Sequence, residues 1–215
     1  MVRLICVVIG YLFGLIQTSY FLGRYYGIDI REHGSGNAGT TNMLRTLGTK
    51  AGAVTFLGDA LKCIAAVAVV RLLFGESHAD MLPLLILYGA AGVILGHNFP
   101  FYLGFRGGKG IAATGGLCVA FHWITGVCAL FTFTAAFLLT HYVSLGSLLV
   151  YVGFVIELVI LGQGGYLHMA QPYLNELYVL AVLLAALAFY KHRGNIGRLL
   201  SGTERKTYLT KKSDK

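Results

Sequence analysis

Six long apolar runs, near residues 4–23, 51–74, 81–98, 111–140, 143–162 and 174–190, leave this chain few ways to fold. A helix rising about 1.5 Å per residue needs roughly 20 apolar residues to cross a hydrocarbon layer about 30 Å thick. Several of the runs approach or exceed that length. A soluble domain of 215 residues has no interior large enough to hide a chain that is 56% hydrophobic and 12% charged, with a mean hydropathy of +0.70. The sequence therefore reads as an all-α polytopic membrane protein, a single integral membrane domain over 1–215 with a basic tail over 191–215. The N-terminal run has no clear small-x-small cleavage site and is long for a signal peptide, so it is read as the first retained helix.

Charge sets the orientation. A net charge of +8 would point to nucleic acid in a soluble protein. Here the cations gather beside the apolar runs, where orientation and anionic ligands account for them, and no nucleic-acid partner is expected. Arg24, Arg31, Arg45 and Lys50 lie in the first polar interval, Arg106 and Lys109 in the loop after the third run, and Lys191, Arg193, Arg198, Arg205, Lys206, Lys211, Lys212 and Lys215 in the tail. The positive-inside tendency places these three regions in the cytoplasm, and the intervals near 75–80 and 162–176 outside. Arg3 and Arg71, at the presumed outer ends, run against it. Two regions on one side need an even number of crossings between them. The 30-residue run 111–140 is too long for one upright span, and dividing it near His122–Thr125 restores parity. Seven transmembrane helices follow, the fourth and fifth short, with the N-terminus outside and the C-terminus cytoplasmic. Within the spans, Asp59 and Lys62 are three apart and can neutralise each other, and Glu157 is expected to be protonated or paired across helices. The four cysteines, all inside apolar runs and without C-x-x-C spacing, read as small buried hydrophobes.

Three polar islands interrupt this apolar chain. The second, GHNFPFYLGFRGGKGIAAT over 96–114, sets Lys109 among Gly107, Gly108 and Gly110, with Arg106 just before them. Glycines let backbone N–H groups converge on an anion, and a helix starting near Ile111 adds the positive end of its dipole. The pattern is no P-loop: Leu103 stands where the first glycine belongs, and Gly110 where Ser or Thr would follow the lysine. A phosphate cradle at a membrane surface competes with a plain glycine turn whose cations anchor the membrane edge. The first island, His33 to Arg45, packs Ser35, Asn37, Thr40, Thr41, Asn42 and Arg45 around three glycines, a set suited to phosphate and polyol oxygens. A helix starts there, with Thr40 or Thr41 as possible caps. In the third island His192, Asn195 and Arg198 recur every three residues and can share one face of a short helix. All three islands fall on the cytoplasmic side of the proposed topology. No His is followed by Asp four positions on, no Ser has glycine at both −2 and +2, and no H-E-x-x-H or carboxylate cluster proposes a metal. The chemistry left is positioning plus charge stabilisation.

Together, GSGNAGTTNMLRTLG, GHNFPFYLGFRGGKGIAAT and HRGNIGRLLSGTE resemble, in order, the three motifs of the bacterial acyl-phosphate-dependent glycerol-3-phosphate acyltransferases, the PlsY family. The resemblance covers essentially the whole chain; Ile111 in place of the more usual valine and the doubled alanine at 112–113 are mild departures. It implies transfer of a fatty acyl group from acyl phosphate to the 1-hydroxyl of sn-glycerol 3-phosphate, giving lysophosphatidic acid and inorganic phosphate without a cofactor. It also implies a multi-pass protein of the bacterial inner membrane with a cytoplasmic site, in contact with membrane lipids and with the upstream enzyme that forms the acyl phosphate.

Carried onto this sequence, the motifs make Ser35, Arg45, Lys109, His192 and Asn195 the expected catalytic residues. Gly36, Asn37, Gly39, Thr41, Asn42, His97, Asn98, Arg106, Gly107, Gly108, Gly110, Thr114, Arg198 and Glu204 are the expected substrate-binding ones, and no metal ligand is expected. Ser35, Arg45 and Lys109, with N–H groups near Gly107 and Gly108, are expected to hold phosphate. The proton acceptor is either His192 or a phosphate oxygen of the substrate. A transporter of a phosphorylated small molecule and a non-catalytic scaffold are the competing classes; flux without product, or no product from the purified protein, would favour them.

Overall fold

The computed structural model describes residues 1–208, and among these the chain is helical with no strand. The helices are α1 (Val2–Gly14), α2 (Thr18–Tyr25), α3 (Thr40–Leu47), α4 (Thr49–Phe74), α5 (Leu82–Asn98), α6 (Ile111–Phe121), α7 (Trp123–Thr140), α8 (Val143–Gln163), α9 (Gln171–Lys191) and α10 (Arg193–Leu200). Six segments are long and apolar enough to cross a membrane: Val2–Tyr25, Thr49–Phe74, Ala79–Leu103, Trp123–Thr140, Val143–Gln163 and Gln171–Lys191, with the shorter apolar α6 beside them. Many large apolar side chains point outward, Leu72, Leu130, Phe131 and Leu183 among them. This is how an integral membrane protein meets lipid. Lys211, Lys212 and Lys215 of the basic tail lie outside the described residues.

The 111–140 run divides where length demanded. His122 is extended, its ring Nδ1 accepts the Ile124 N–H at 3.2 Å, and the Thr125 hydroxyl donates to the Cys118 carbonyl at 2.6 Å. Only one of the two halves is short: α6 has 11 residues, whereas α7 has 18 and matches a full span. The first apolar run departs from expectation. It is broken at Leu15–Gln17 into α1 and α2, though no proline marks the place. The carbonyls released by the break are taken up from elsewhere in the fold. Gln17 Nε2 reaches the carbonyls of Gly14 at 3.3 Å, Gly96 at 3.3 Å and His97 at 2.9 Å, and Lys62 Nζ donates to Ile16 O at 2.7 Å. Irregular backbone inside a membrane protein persists only when its polar groups are satisfied in this way.

Two glycine-lined helices hold the centre. Gly10 of α1 faces Gly89 of α5, and Gly14 faces Gly96, so the two run in the same direction. A Cβ on Gly10 would lie 1.8 Å from the Gly89 carbonyl oxygen, closer than any side chain tolerates. Small residues spaced by turns of a helix allow such contact. The cations that broke the positive-inside tendency both have partners. Arg3 is forked onto Glu176 at 2.5 and 2.7 Å, with the Tyr88 hydroxyl on the same carboxylate at 2.7 Å. Arg71, in the last turn of α4, donates to the carbonyls of Ala120 at 2.9 Å and Phe121 at 3.3 Å, closing the C-terminal end of α6. Asp59 and Lys62 do pair, at 2.8 Å, both buried, and Lys62 Nζ also donates to His97 Nδ1 at 2.9 Å. The acceptor role of Nδ1 leaves the ring proton of His97 on Nε2.

Candidate active site

The three islands meet at one end of the helical bundle. Gly108 packs so closely that a Cβ there would lie 2.5 Å from the Ala38 carbonyl oxygen, joining islands one and two, and Arg31, just before island one, donates through Nη1 to the Leu103 carbonyl at 3.1 Å. Lys109 Nζ donates to Asn195 Oδ1, joining islands two and three. Asn195 passes the contact on: its Nδ2 donates to Glu204 Oε1 at 2.6 Å. The same carboxylate accepts the Ser144 hydroxyl at 2.9 Å and Arg198 Nε at 2.7 Å. Beyond Glu204 the chain crosses to island one, where Arg45 Nη2 donates to the Arg205 carbonyl at 3.0 Å and to the Thr207 hydroxyl at 2.5 Å. Thr207 is itself pinned by its N–H to the His141 carbonyl at 2.9 Å. Of the three residues spaced to share a helix face, Asn195 and Arg198 lie on α10 and reach one carboxylate, whereas His192 is the residue before the helix and bonds the Ala188 carbonyl.

The first island is a folded loop. Asn42, buried at the start of α3, donates through Nδ2 to the carbonyls of Ile30 at 3.0 Å and His33 at 2.9 Å, and its Oδ1 accepts the Ser35 N–H at 2.9 Å. All three of these contacts staple the loop that presents Ser35, which is exposed. The N-cap of α3 is Gly39, not Thr40 or Thr41, and the Thr40 hydroxyl is buried without a partner. Gly36 has a left-handed φ of 71° at the turn, and Asn37 and Thr41 are partly exposed beside it.

The glycine loop differs from the expected cradle. The N–H groups of Gly107 and Gly108 are spent on the carbonyls of Asn98 at 3.3 Å and His97 at 3.1 Å, so they do not converge on an open anion site. These glycines are required by packing: a Cβ on Gly107 would lie 2.0 Å from the His97 carbonyl oxygen, and one on Gly108 2.1 Å from the His97 ring Nε2. The donors next to the loop are the Lys109 ammonium and the first turn of α6, whose N–H groups have no partners within the helix. Gly110, with φ of 80°, turns the chain into that helix. The Asn98 side chain is wholly buried against Gly110 with both amide atoms unpartnered. Thr114 stands apart: it is buried, its hydroxyl held by the Gly110 carbonyl at 2.9 Å and the Tyr151 hydroxyl at 2.6 Å. Arg106 lies exposed on the rim.

The electrostatics follow from burial and crowding. Burial, helped by the charges of Arg198, Lys191 and Arg45 and opposed by Glu204, brings Lys109 down to about 8. Burial and then the Lys109 charge hold His192 at about 4, so its ring is neutral near pH 7. Its Nδ1 proton goes to the Ala188 carbonyl at 2.8 Å, which leaves the lone pair on Nε2. Burial pushes Glu204 up, but hydrogen bonds from Asn195, Ser144 and Arg198 outweigh it and keep the carboxyl below its usual range. Among the described residues no three His, Cys, Asp or Glu side chains are grouped to hold a metal ion.

A pH profile tests this picture. If a charged Lys109 is needed, kcat/KM falls as pH rises through about 8, the value in the free protein. Lys109→Arg, which does not titrate in that range, removes this limb. A limb that persists unchanged in Lys109→Arg would assign it to another group.

Sequence reasoning missed Gln17, Ser144 and Thr207. Nothing local marks them; each joins the site through a partner at least 60 positions away in the chain.

Nearly all of the chain has counterparts. A family model described as glycerol-3-phosphate acyltransferase matches residues 4–202. A glycerol-3-phosphate acyltransferase of Thermoanaerobacter pseudethanolicus is 41% identical over 207 residues, covering 96% of each chain. One of Clostridioides difficile is 43% identical over 206 residues, covering 94% of each. A crystal structure of PlsY (YgiH), an integral membrane glycerol 3-phosphate acyltransferase in its glycerol 3-phosphate form, matches with a TM-score of 0.82 at 30% identity over 96% of both chains. Its lysophosphatidic acid form matches with a TM-score of 0.80.

Proposed function

The chain belongs to the glycerol-3-phosphate acyltransferase family, PlsY type, and from its site we propose that the acyl donor is an acyl phosphate. The product is then lysophosphatidic acid, with inorganic phosphate released. The observation that carries this is the linked set Lys109, Asn195, Glu204 and Arg198, closed on the far side by Arg45. It presents several cations around one carboxylate, and both substrates bring phosphate. An acyl phosphate is already activated, so attack by the 1-hydroxyl on the carbonyl carbon and loss of phosphate need no protein nucleophile. Ser35, Arg45 and Lys109 hold phosphate, and Lys109 offsets charge on the departing group. Asn37 and Thr41 orient the glycerol hydroxyls, and Asn42 keeps the loop that carries Ser35. We assign the hydroxyl's proton to a phosphate oxygen of the bound substrate, and orientation to His192, whose ring is fixed by Nδ1 on the Ala188 carbonyl at 2.8 Å.

We further propose seven crossings with the N-terminus outside, and a site that opens to the cytoplasm at a bacterial inner membrane. Support comes from the two ends of α6: its Gly110 end adjoins Lys109 and the basic islands, while its Phe121 end meets Arg71. Eleven residues rise only about 16 Å, so a crossing α6 needs the glycine loop to sit below the membrane surface, within reach of a donor held in lipid.

The donor is tested with full-length protein purified in detergent, labelled sn-glycerol 3-phosphate and either palmitoyl phosphate or palmitoyl-CoA. Lysophosphatidate is expected from palmitoyl phosphate alone. Product from palmitoyl-CoA in its place would overturn the donor assignment.

A further inference from the structure

Lys191 is the last residue of α9 and directly precedes His192, yet it is turned away from the basic tail. Its Nζ donates to the Asn98 carbonyl at 3.3 Å, the same oxygen that accepts the Gly107 N–H at the base of the glycine loop. The ammonium also sits 4.7 Å from the centre of the Phe99 ring, in cation–π contact. Among the described residues no carboxylate forms an ion pair with it. The charged and titratable groups around it are Lys109, His192, His97 and Arg193. A partly buried ammonium with one long hydrogen bond and like charges for neighbours has donors to spare. A second observation points to a ligand at the same place. The side chain of Asn98 is wholly buried with neither amide atom bonded, against the glycine that starts α6.

We propose that Lys191, with the amide of Asn98 and the first turn of α6, binds the phosphate of the acyl donor. The inference rests on the acyl-phosphate assignment and deepens it by separating the two phosphates. Arg45 and Arg198 are exposed and tied to the polar strap 204–207, on the water side. Lys191 ends a membrane span and lies over an aromatic ring, at the level where a donor anchored by its acyl chain presents its phosphate. As phosphate leaves, the two ammonium donors of Lys191 not spent on the Asn98 carbonyl follow its growing charge.

The test uses full-length protein in detergent and compares Lys191→Met, which keeps the stem on Phe99 without the charge, with Lys191→Arg. Wild-type protein must first turn over palmitoyl phosphate; if it does not, the acyl-phosphate assignment itself fails. Given turnover, Lys191→Met is expected to raise KM for palmitoyl phosphate by about tenfold or more, as for a lost charge-assisted hydrogen bond, with KM for sn-glycerol 3-phosphate within about threefold. Lys191→Arg is expected to stay near wild type for both. An unchanged donor KM, equal losses for both substrates, or an arginine variant as impaired as the methionine one would each overturn the assignment.

Discussion

Replacing Lys109 with alanine is expected to lower kcat/KM by about 10²–10³-fold, roughly 3–4 kcal/mol of transition-state stabilisation. The size follows from position. Lys109 is the one cation in the glycine loop that is drawn inward, its ammonium bonded to Asn195 and its charge opposed by burial. A group that stays charged under those conditions is worth more to a developing phosphate charge than an exposed lysine would be. Alanine also leaves Asn195 without its donor, but Asn195 keeps Glu204 at 2.6 Å, so α10 stays in place and the loss falls on chemistry. The alternative, a lysine that merely anchors the membrane edge, predicts less than a threefold change. Steady-state kinetics with both substrates varied separates the two.

Gly108→Ala is the second large effect. The added Cβ would lie 2.1 Å from His97 Nε2 and 2.5 Å from the Ala38 carbonyl oxygen. The first is a ring fixed by Lys62 from behind, and the second is backbone; neither can yield cheaply. The loop must then move, and it carries Lys109. Loss of activity by about 10²-fold or more is expected, in line with what a 1 Å misplacement costs a positioned group. Gly115→Ala, one turn into α6, is the control, because nothing lies within 4 Å of its Cβ. It should keep activity and gain up to about 1 kcal/mol of helix stability. Equal activity for the two variants, by assay and by melting temperature, would mean that the close approach at Gly108 does not position the loop.

The contrast between these glycines shows where the sequence is readable and where it is not. A dense run of glycines around a lysine announced a loop with special backbone needs, and the loop is there. What the glycines serve could not be read locally, because His97 and Ala38, which crowd them, come from other parts of the chain. The same holds for the helices. Run length and the parity of crossings together called for the division of 111–140, and the break falls at His122. The break in the first run carries no proline, and its stabilising partners, Lys62 and the carbonyls of Gly96 and His97, lie more than 40 positions away. Arg3 and Arg71 looked misplaced by charge rules until Glu176 and the end of α6 supplied their partners. The convergence of the three islands was legible from topology. The route of that convergence, through Asn195 to Glu204 and on to Ser144, was not, since a serine at the edge of an apolar run carries no signal of its own.

The central claim is that the three islands make one phosphate-binding site. Its most direct test is calorimetric titration of sn-glycerol 3-phosphate into the full-length protein in detergent, beside Arg45→Ala, Lys109→Ala and Asn195→Ala, one variant from each island. One saturable site per chain is predicted, weakened in all three variants and by about tenfold or more in Arg45→Ala and Lys109→Ala, where a charge-assisted contact to phosphate is removed. Wild-type affinity retained in any one of the three, in protein that melts at the wild-type temperature, would contradict a single shared site.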